Sequence, residues 1–257
     1  MTSISTTAAS DANVRECVAQ ALEGLIGSLD AQWQAAVDID HDFVRAYIAL
    51  AQVPERKSRL DPVSRALISL AVSASVTTLD PAGIRTAAVQ AQRAGATRAQ
   101  ALEAIHLVSV LGVHSLVTGF PEVAAVLKGH GEQLVSEQPL SAAQLELKDH
   151  FETRRGYWSS MNEMLLRVDQ DMFAAYTEYS SHPWVHGELS PKLRELIYIA
   201  IDLSPTHLFT AGVGPHIENA IRYGATTEEI VETLEVTALV GISSLRTSAP
   251  IIQEVFG

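Results

Sequence analysis

The chain has 257 residues, enough to bury a large core and to form two units of ordinary domain size. Its formal charge of −12, from 18 lysines and arginines against 30 aspartates and glutamates, argues against nucleic acid or an anionic membrane surface as partner. Its single cysteine, Cys17, excludes an internal disulfide and any Cys-x-x-Cys redox pair. Apolar residues make up 47% of the chain, which fits a helical assembly with buried subunit faces. No apolar run of about 18 residues is evident, so no membrane span is expected. The first residues, MTSISTTAASDAN, carry neither the basic nor the apolar part of a signal peptide. A soluble cytoplasmic protein is the expectation.

Residues 1–12 are rich in Ser, Thr and Ala and are expected to fray. From Asn13 the spacing of Val14, Cys17, Val18, Ala21, Leu22 and Leu25 predicts an amphipathic helix. A second helix is expected from Phe43 to Val53, ended by Pro54. Asp61-Pro62 opens a third, an acidic N-cap followed by proline at the first helical position. Asp80-Pro81 repeats that signature for a helix ending at Gly95, and Thr97 caps the next, with an apolar stripe of Leu102, Ile105, Val108, Leu111 and Leu116. No stretch alternates as a strand would, so the fold class is all-α.

The chain repeats itself. Leu60–Leu116 and Leu189–Leu245 align without a gap at an offset of 129, with 20 identities in 57 pairs. They include Pro62/Pro191, Arg65/Arg194, Gly83/Gly212 and the Gly-Ala-Thr triplets at 95–97 and 224–226. The expected organisation is an N-terminal extension over 1–21, a first unit over 22–128, a connector over 129–150 and a second unit over 151–257. The two units are expected to be related by a pseudo-twofold axis. Trp158, Phe173, Tyr176, Tyr179 and Trp184 read as packing between helices, and Glu228-Glu229 as a first-turn complement to the helix dipole.

Chemistry is sought where the copies differ. Thr78 becomes His207, Ala87 becomes His216, Ala66 becomes Glu195 and Ser73 becomes Asp202, so ionisable groups accumulate in the second copy. His114 of the first copy faces Ser243. A histidine with a carboxylate neighbour is the usual acid/base arrangement near neutrality. His216 follows Gly214-Pro215. Placed in the first turns of a helix it would meet the positive end of the dipole, which favours the neutral imidazole. A helix starting at Thr210 would instead put Pro215 inside its first turns. Glu195 lies one turn into a helix dominated by Leu193, Leu196 and Ile197. The candidate catalytic residues are therefore His216, Glu195 and His207, expected to converge on one pocket, with Asp202, Tyr198 and His114 as substrate-binding candidates. No ligand-spacing motif supports a metal centre.

The second copy resembles the carboxymuconolactone decarboxylase family, which shares its fold with the alkylhydroperoxidase D-like proteins. The resemblance rests on Glu195-Leu196-Ile197, on His216 eight residues before Gly224 of Gly224-Ala225-Thr226, and on Glu228-Glu229-Ile230. The peroxidase branch carries two cysteines where this chain has Phe209 and Gly212, so thiol peroxidase activity is not expected. The decarboxylase branch implies His and carboxylate acid/base chemistry with no metal and no organic cofactor. The resemblance thus implies a lyase acting on a small organic acid or lactone, with one working site per chain and a homotrimer of two-unit chains. The longer Thr206–Pro215 segment departs from the family's short turn and leaves the substrate open. The alternative is a non-catalytic small-molecule-binding or scaffold protein on the same fold.

Overall fold

The structure, a computed structural model, describes residues 3–257, with side chains from residue 11 onward. Among the described residues there are thirteen α-helices, two 3₁₀ turns and no strand. In chain order the helices are α1 (Ser3–Ile26), α2 (Ala31–Lys57), α3 (Pro62–Ala74), α4 (Pro81–Ala94), α5 (Arg98–Ser109) and α6 (His114–Gly129). They continue as α7 (Ala142–Arg155), α8 (Ser160–Val168), α9 (Gln170–His186), α10 (Pro191–Asp202), α11 (Thr210–Arg222), α12 (Thr227–Ala238) and α13 (Ser243–Phe256). The 3₁₀ turns, Val110–Val113 and Leu239–Ile242, join α5 to α6 and α12 to α13.

The caps form where the sequence places them. The carboxylate of Asp61 accepts from the Ser64 N–H at 2.9 Å, and that of Asp80 from the Gly83 N–H at 3.1 Å. Thr97 and Gln100 close a capping box at α5, as Thr226 and Glu229 do at α12. Gly95 ends α4 with a φ of 97°, a left-handed value that glycine adopts without steric cost.

Several boundaries differ from expectation. The segment expected to fray is helical from Ser3, while residues 1 and 2 lie outside the described residues. Helix α2 starts at Ala31, breaks at Asp40 (φ −150°, ψ 77°) and runs through Pro54 to a left-handed cap at Ser58. The connector is coil only in its first part, because α7 begins at Ala142 and crosses the expected boundary at 150. On α5, Leu102 is exposed, and the buried stripe consists of Glu103, Ala104, Leu107 and Val108. The continuous stretch Arg98–Gly129 has a mean hydropathy of 1.6 over its most apolar 18 residues, of which 17% are buried. By length and composition it could cross a membrane, which corrects the expectation that no apolar run is long enough.

Helices α3 and α10 are the centre of the main core, where Leu67, Ile68 and Ala71 pack with Leu196, Ile197 and Ala200. Every residue of α10 from Leu193 to Asp202 is buried, so the helix that begins the second Leu-Ile pattern has no solvated face. Its ionisable groups must therefore find partners inside the protein.

Helix starts recur at the 129-residue offset: α3 with α10, α4 with α11, α5 with α12, α6 with α13, and the two 3₁₀ turns; residues 13–26 of α1 likewise match α7. The break at Asp40 matches Asp169, and each carboxylate accepts a backbone N–H three residues on, from Phe43 and Met172, at 2.9 Å. Two ion pairs between the halves are reciprocal. Glu103 accepts from Arg194 Nε at 2.6 Å, and Glu232 accepts from Arg65 Nε at 3.0 Å. Each glutamate also takes backbone N–H groups just before the other half's first core helix: Glu188 and Leu189 for Glu103, Arg59 for Glu232. The hydroxyls of Thr77 and Thr206, themselves offset partners, lie 3.3 Å apart.

Candidate active site

The site forms where α10 turns back into α11. Backbone bonds from His207 and Leu208 to the Ser204 carbonyl tighten the turn, and the Phe209 N–H returns to the Asp202 carbonyl at 2.7 Å. Leu208 takes a φ of 49°, as its counterpart Leu79 takes 39°, which reverses the chain so that α11 lies along α10. Helix α11 starts at Thr210, so Pro215 is inside it and leaves the Ala211 carbonyl without its usual intrahelical donor. His216 is consequently in the second turn, not the first. This is the alternative start at Thr210, and it puts the ring beyond the first turn, the turn where the dipole effect is strongest.

Its electrostatic partner is instead a carboxylate. His216 Nδ1 lies 2.7 Å from Oε2 of Glu195, which is 2% exposed. Asn219, three residues on along the same face of α11, donates to Oε1 at 3.2 Å. Glu195 thus has both oxygens engaged by groups on one helix. An acceptor at Nδ1 fixes the ring with its proton on that atom and leaves the Nε2 lone pair free. The Tyr198 ring lies 4.7 Å from the His216 ring, and its hydroxyl accepts from Trp184 Nε1 at 3.3 Å. Burial raises the Tyr198 pKa, so the phenol stays protonated.

His216 opens onto a cavity of about 610 Å³ that is also lined by His114, Asp202, Tyr198, Tyr176 and Arg155. Tyr176 and Trp158, which the sequence assigns to packing, are part of its wall, while Phe173 is buried in the small core behind. Tyr179 lies on the surface, its hydroxyl donating to the Ser109 carbonyl.

The structure joins the candidate residues in two groups. Glu195 and His216 form one. His207 belongs to the other: its Nε2 is 2.7 Å from Nδ1 of His114, whose Nε2 is 3.7 Å from Oδ1 of Asp202. Phe209 stacks on His114 with centroids 3.9 Å apart at 17°. Burial lowers the His114 pKa to about 4, helped by the charges of His207 and His216, and burial lowers that of His207 as well. Burial raises the Asp202 pKa to about 7, with His216 opposing the shift and Glu195 adding to it. A side chain at Gly212 would place its Cβ 2.5 Å from the Phe209 ring, so the two residues standing at the peroxidase cysteine positions occupy one another's space.

Two residues of the site escape the sequence reading, Arg155 and Asn219. Arg155 is 6% exposed and lies over the Trp184 and Tyr157 rings at 5.1 and 5.6 Å; its Nη1 donates to the Ser180 carbonyl, and its Nε has no hydrogen-bond partner. The offset comparison carries its signal, because position 26 of the first copy is isoleucine.

Fold and site together define an all-helical protein with a buried carboxylate–histidine pair beside a cavity and no thiol within it. The profile of the carboxymuconolactone decarboxylase family matches residues 170–254. Over 94% of this chain and 97% of the other, the structure superposes with a TM-score of 0.90 at 40% identity on a crystal structure from Burkholderia xenovorans LB400. That protein is provisionally named a gamma-carboxymuconolactone decarboxylase subunit. No curated protein matches the chain. The chain belongs to the carboxymuconolactone decarboxylase family.

Proposed function

We propose that the chain is a carboxymuconolactone decarboxylase-like carboxy-lyase acting on a small organic acid or lactone, with His216 as the proton-transfer residue and Glu195 orienting it. The observation that carries this reading is the 2.7 Å contact between Nδ1 of His216, which lines the cavity, and the buried Glu195 carboxylate behind it. Loss of CO₂ leaves an electron pair on the adjacent carbon as a carbanion or enolate. His216, its free Nε2 having first taken a proton from solvent, delivers that proton to quench it, and the Glu195 carboxylate stabilises the imidazolium beforehand. Arg155, always charged and set among aromatic rings, fits a carboxylate of the substrate. The proton transfer itself requires no organic cofactor.

The test is CO₂ release and product formation from a panel of carboxylated lactones and small oxo acids, with His216→Ala as control. Turnover that survives His216→Ala, or binding without turnover across the panel, favours the non-catalytic binding protein.

The matched helix starts and reciprocal Glu–Arg pairs support a tandem duplication about a pseudo-twofold axis, with units starting near residues 13 and 142. Only the second unit has a working site in this reading. Assembly as a trimer of two-unit chains fits the exposed apolar side chains of α6 and α13, among them Val123, Val126, Ile251 and Val255. Light scattering that gives a monomer at micromolar concentration would contradict the assembly.

A further inference from the structure

Asp202 is an anomaly. Its side chain is 2% exposed, yet among the described residues neither carboxylate oxygen accepts a hydrogen bond, and Oδ2 is wholly buried without a partner. No arginine or lysine among the described residues pairs with it; its near ionisable neighbours are His114, His216 and Glu195. A buried carboxylate with neither donor nor cation is costly, and proteins ordinarily supply one or the other.

The first half shows what such a supply looks like. There Asp80, at the start of α4, is held by the Ser243 hydroxyl at 2.6 Å and by the guanidinium of Arg246. Ser243 and Arg246 come from the second half, and at the positions matched to them the first half lends His114 and Val117 to the corner around Asp202. The protein cation is missing and an imidazole has been added. The positions matched to His114, Asp202 and His207 at the 129-residue offset all carry hydroxyls, Ser243, Ser73 and Thr78. The exchange is of three neutral hydroxyls for three metal-ligating groups.

We infer that His114, Asp202 and His207 form a binding site for a divalent first-row transition-metal ion. One donor atom from each lies within 4.8 Å of the others. His114 Nδ1 and His207 Nε2, 2.7 Å apart in a hydrogen bond, need open only to about 3.3 Å to hold one tetrahedral ion at 2.0–2.1 Å each. Two imidazoles and one carboxylate, with no thiolate, suit Zn²⁺, Fe²⁺, Co²⁺ or Ni²⁺ rather than Ca²⁺ or Mg²⁺. Three protein ligands leave coordination positions open, and His114 and Asp202 both line the cavity onto which His216 opens. An oxygen of an anionic substrate is the ligand those positions would take. The site departs from the metal-free chemistry that the family resemblance implies, and it does not depend on His216 acting as an acid.

The test uses the full chain, stripped with chelator and titrated with Co²⁺ and Zn²⁺, read by metal content, Co²⁺ absorption and thermal midpoint. One equivalent per chain is expected, with a raised midpoint. Asp202→Asn and His207→Thr, the latter placing the other half's residue at a partly exposed position, should abolish stoichiometric uptake. His216→Ala should retain it, which separates this site from the proton-transfer reading. Wild-type protein that takes up no stoichiometric metal overturns the inference. So does uptake that persists in His207→Thr, the variant that decides the matter if Asp202→Asn does not fold. A midpoint raised by Asp202→Asn without any metal would identify Asp202 as a buried neutral acid instead.

Discussion

From α3 and α10 onward the two halves of this chain share helix starts to the residue, and they bury different charges. At the turn between the paired helices the first half places Asp80, Ser73, Thr78 and Ala87, and the second Phe209, Asp202, His207 and His216. The first set has one carboxylate, which Ser243 and Arg246 of the second half hold. The second, joined by His114 from the first half, lines a cavity with Asp202, His114 and His216, and Glu195 and His207 contact two of these from behind. What both halves keep is steric. A Cβ at Gly83 or at Gly212 would lie 2.5 Å from the residue three before it, Asp80 in one case and Phe209 in the other. The backbone approach is a property of the fold, and the chemistry is laid over it.

The sharpest way to break that contrast is at the histidine. His216→Ala is expected to lower any turnover by roughly two to four orders of magnitude, the usual contribution of a positioned acid/base. Ala87→His, its mirror in the first half, should add no activity, because position 66 there is alanine and supplies no carboxylate. Steady-state kinetics on both variants decide it. Activity gained in Ala87→His would mean that the halves differ less than their polar groups suggest.

Next in size is the feature the halves share. Glu103 and Glu232 are both buried, each bridging to the other half's arginine and backbone. Glu103→Ala leaves Arg194, itself buried, without its counterion and should cost about 3–5 kcal/mol of stability in chemical denaturation. Glu232→Ala should cost less, since Arg65 is more accessible and can recruit water. Equal and negligible costs would remove these pairs as the clamp between halves.

Much of this is legible in the sequence because it depends on local rules. The Asp-Pro and Thr caps, the glycine stop of α4 and the helical class follow from neighbouring residues alone. The repeat locates Glu195 and His216 by subtraction, and the structure puts them in contact. The failures are tertiary. Pro54 reads as the end of α2, but it sits in the last turn and frees only the Leu50 carbonyl, on an exposed side where water can take the bond. His207 groups with His216 by sequence, yet its partner is His114, 93 residues away, and no periodicity joins them. Arg155 is hidden from a linear reading because it ends a helix that starts within the connector. Its buried setting is created by rings from α7, α9 and the turn before α8.

The smallest expected effect tests the closed corner of the first half. Burial by itself would raise the Asp80 pKa, but the Ser243 hydroxyl, the Gly83 N–H and the Arg246 charge outweigh it, and the net shift is downward. A carboxyl with a folded pKa below its unfolded value binds its proton more readily when unfolded. Its stabilisation is therefore complete above the unfolded value, about 3.9, and is lost as pH falls through the lower folded value. Asp80→Asn should cost about 1.5–3 kcal/mol at pH 7, the range for hydrogen bonds to a charged group. The gap between wild type and variant should then narrow as pH drops below about 4. Denaturant midpoints at pH 7, 5 and 3.5 measure it. Phe209→Leu, the change at the matched position, removes only stacking on His114 and no carboxylate, so its cost should not narrow with acid in the same way. An Asp80→Asn gap that stays constant from pH 7 to 3.5 would mean that Arg246 and Ser243 do not hold the ionised carboxylate, and the corner around Asp80 would no longer count as neutralised within the protein.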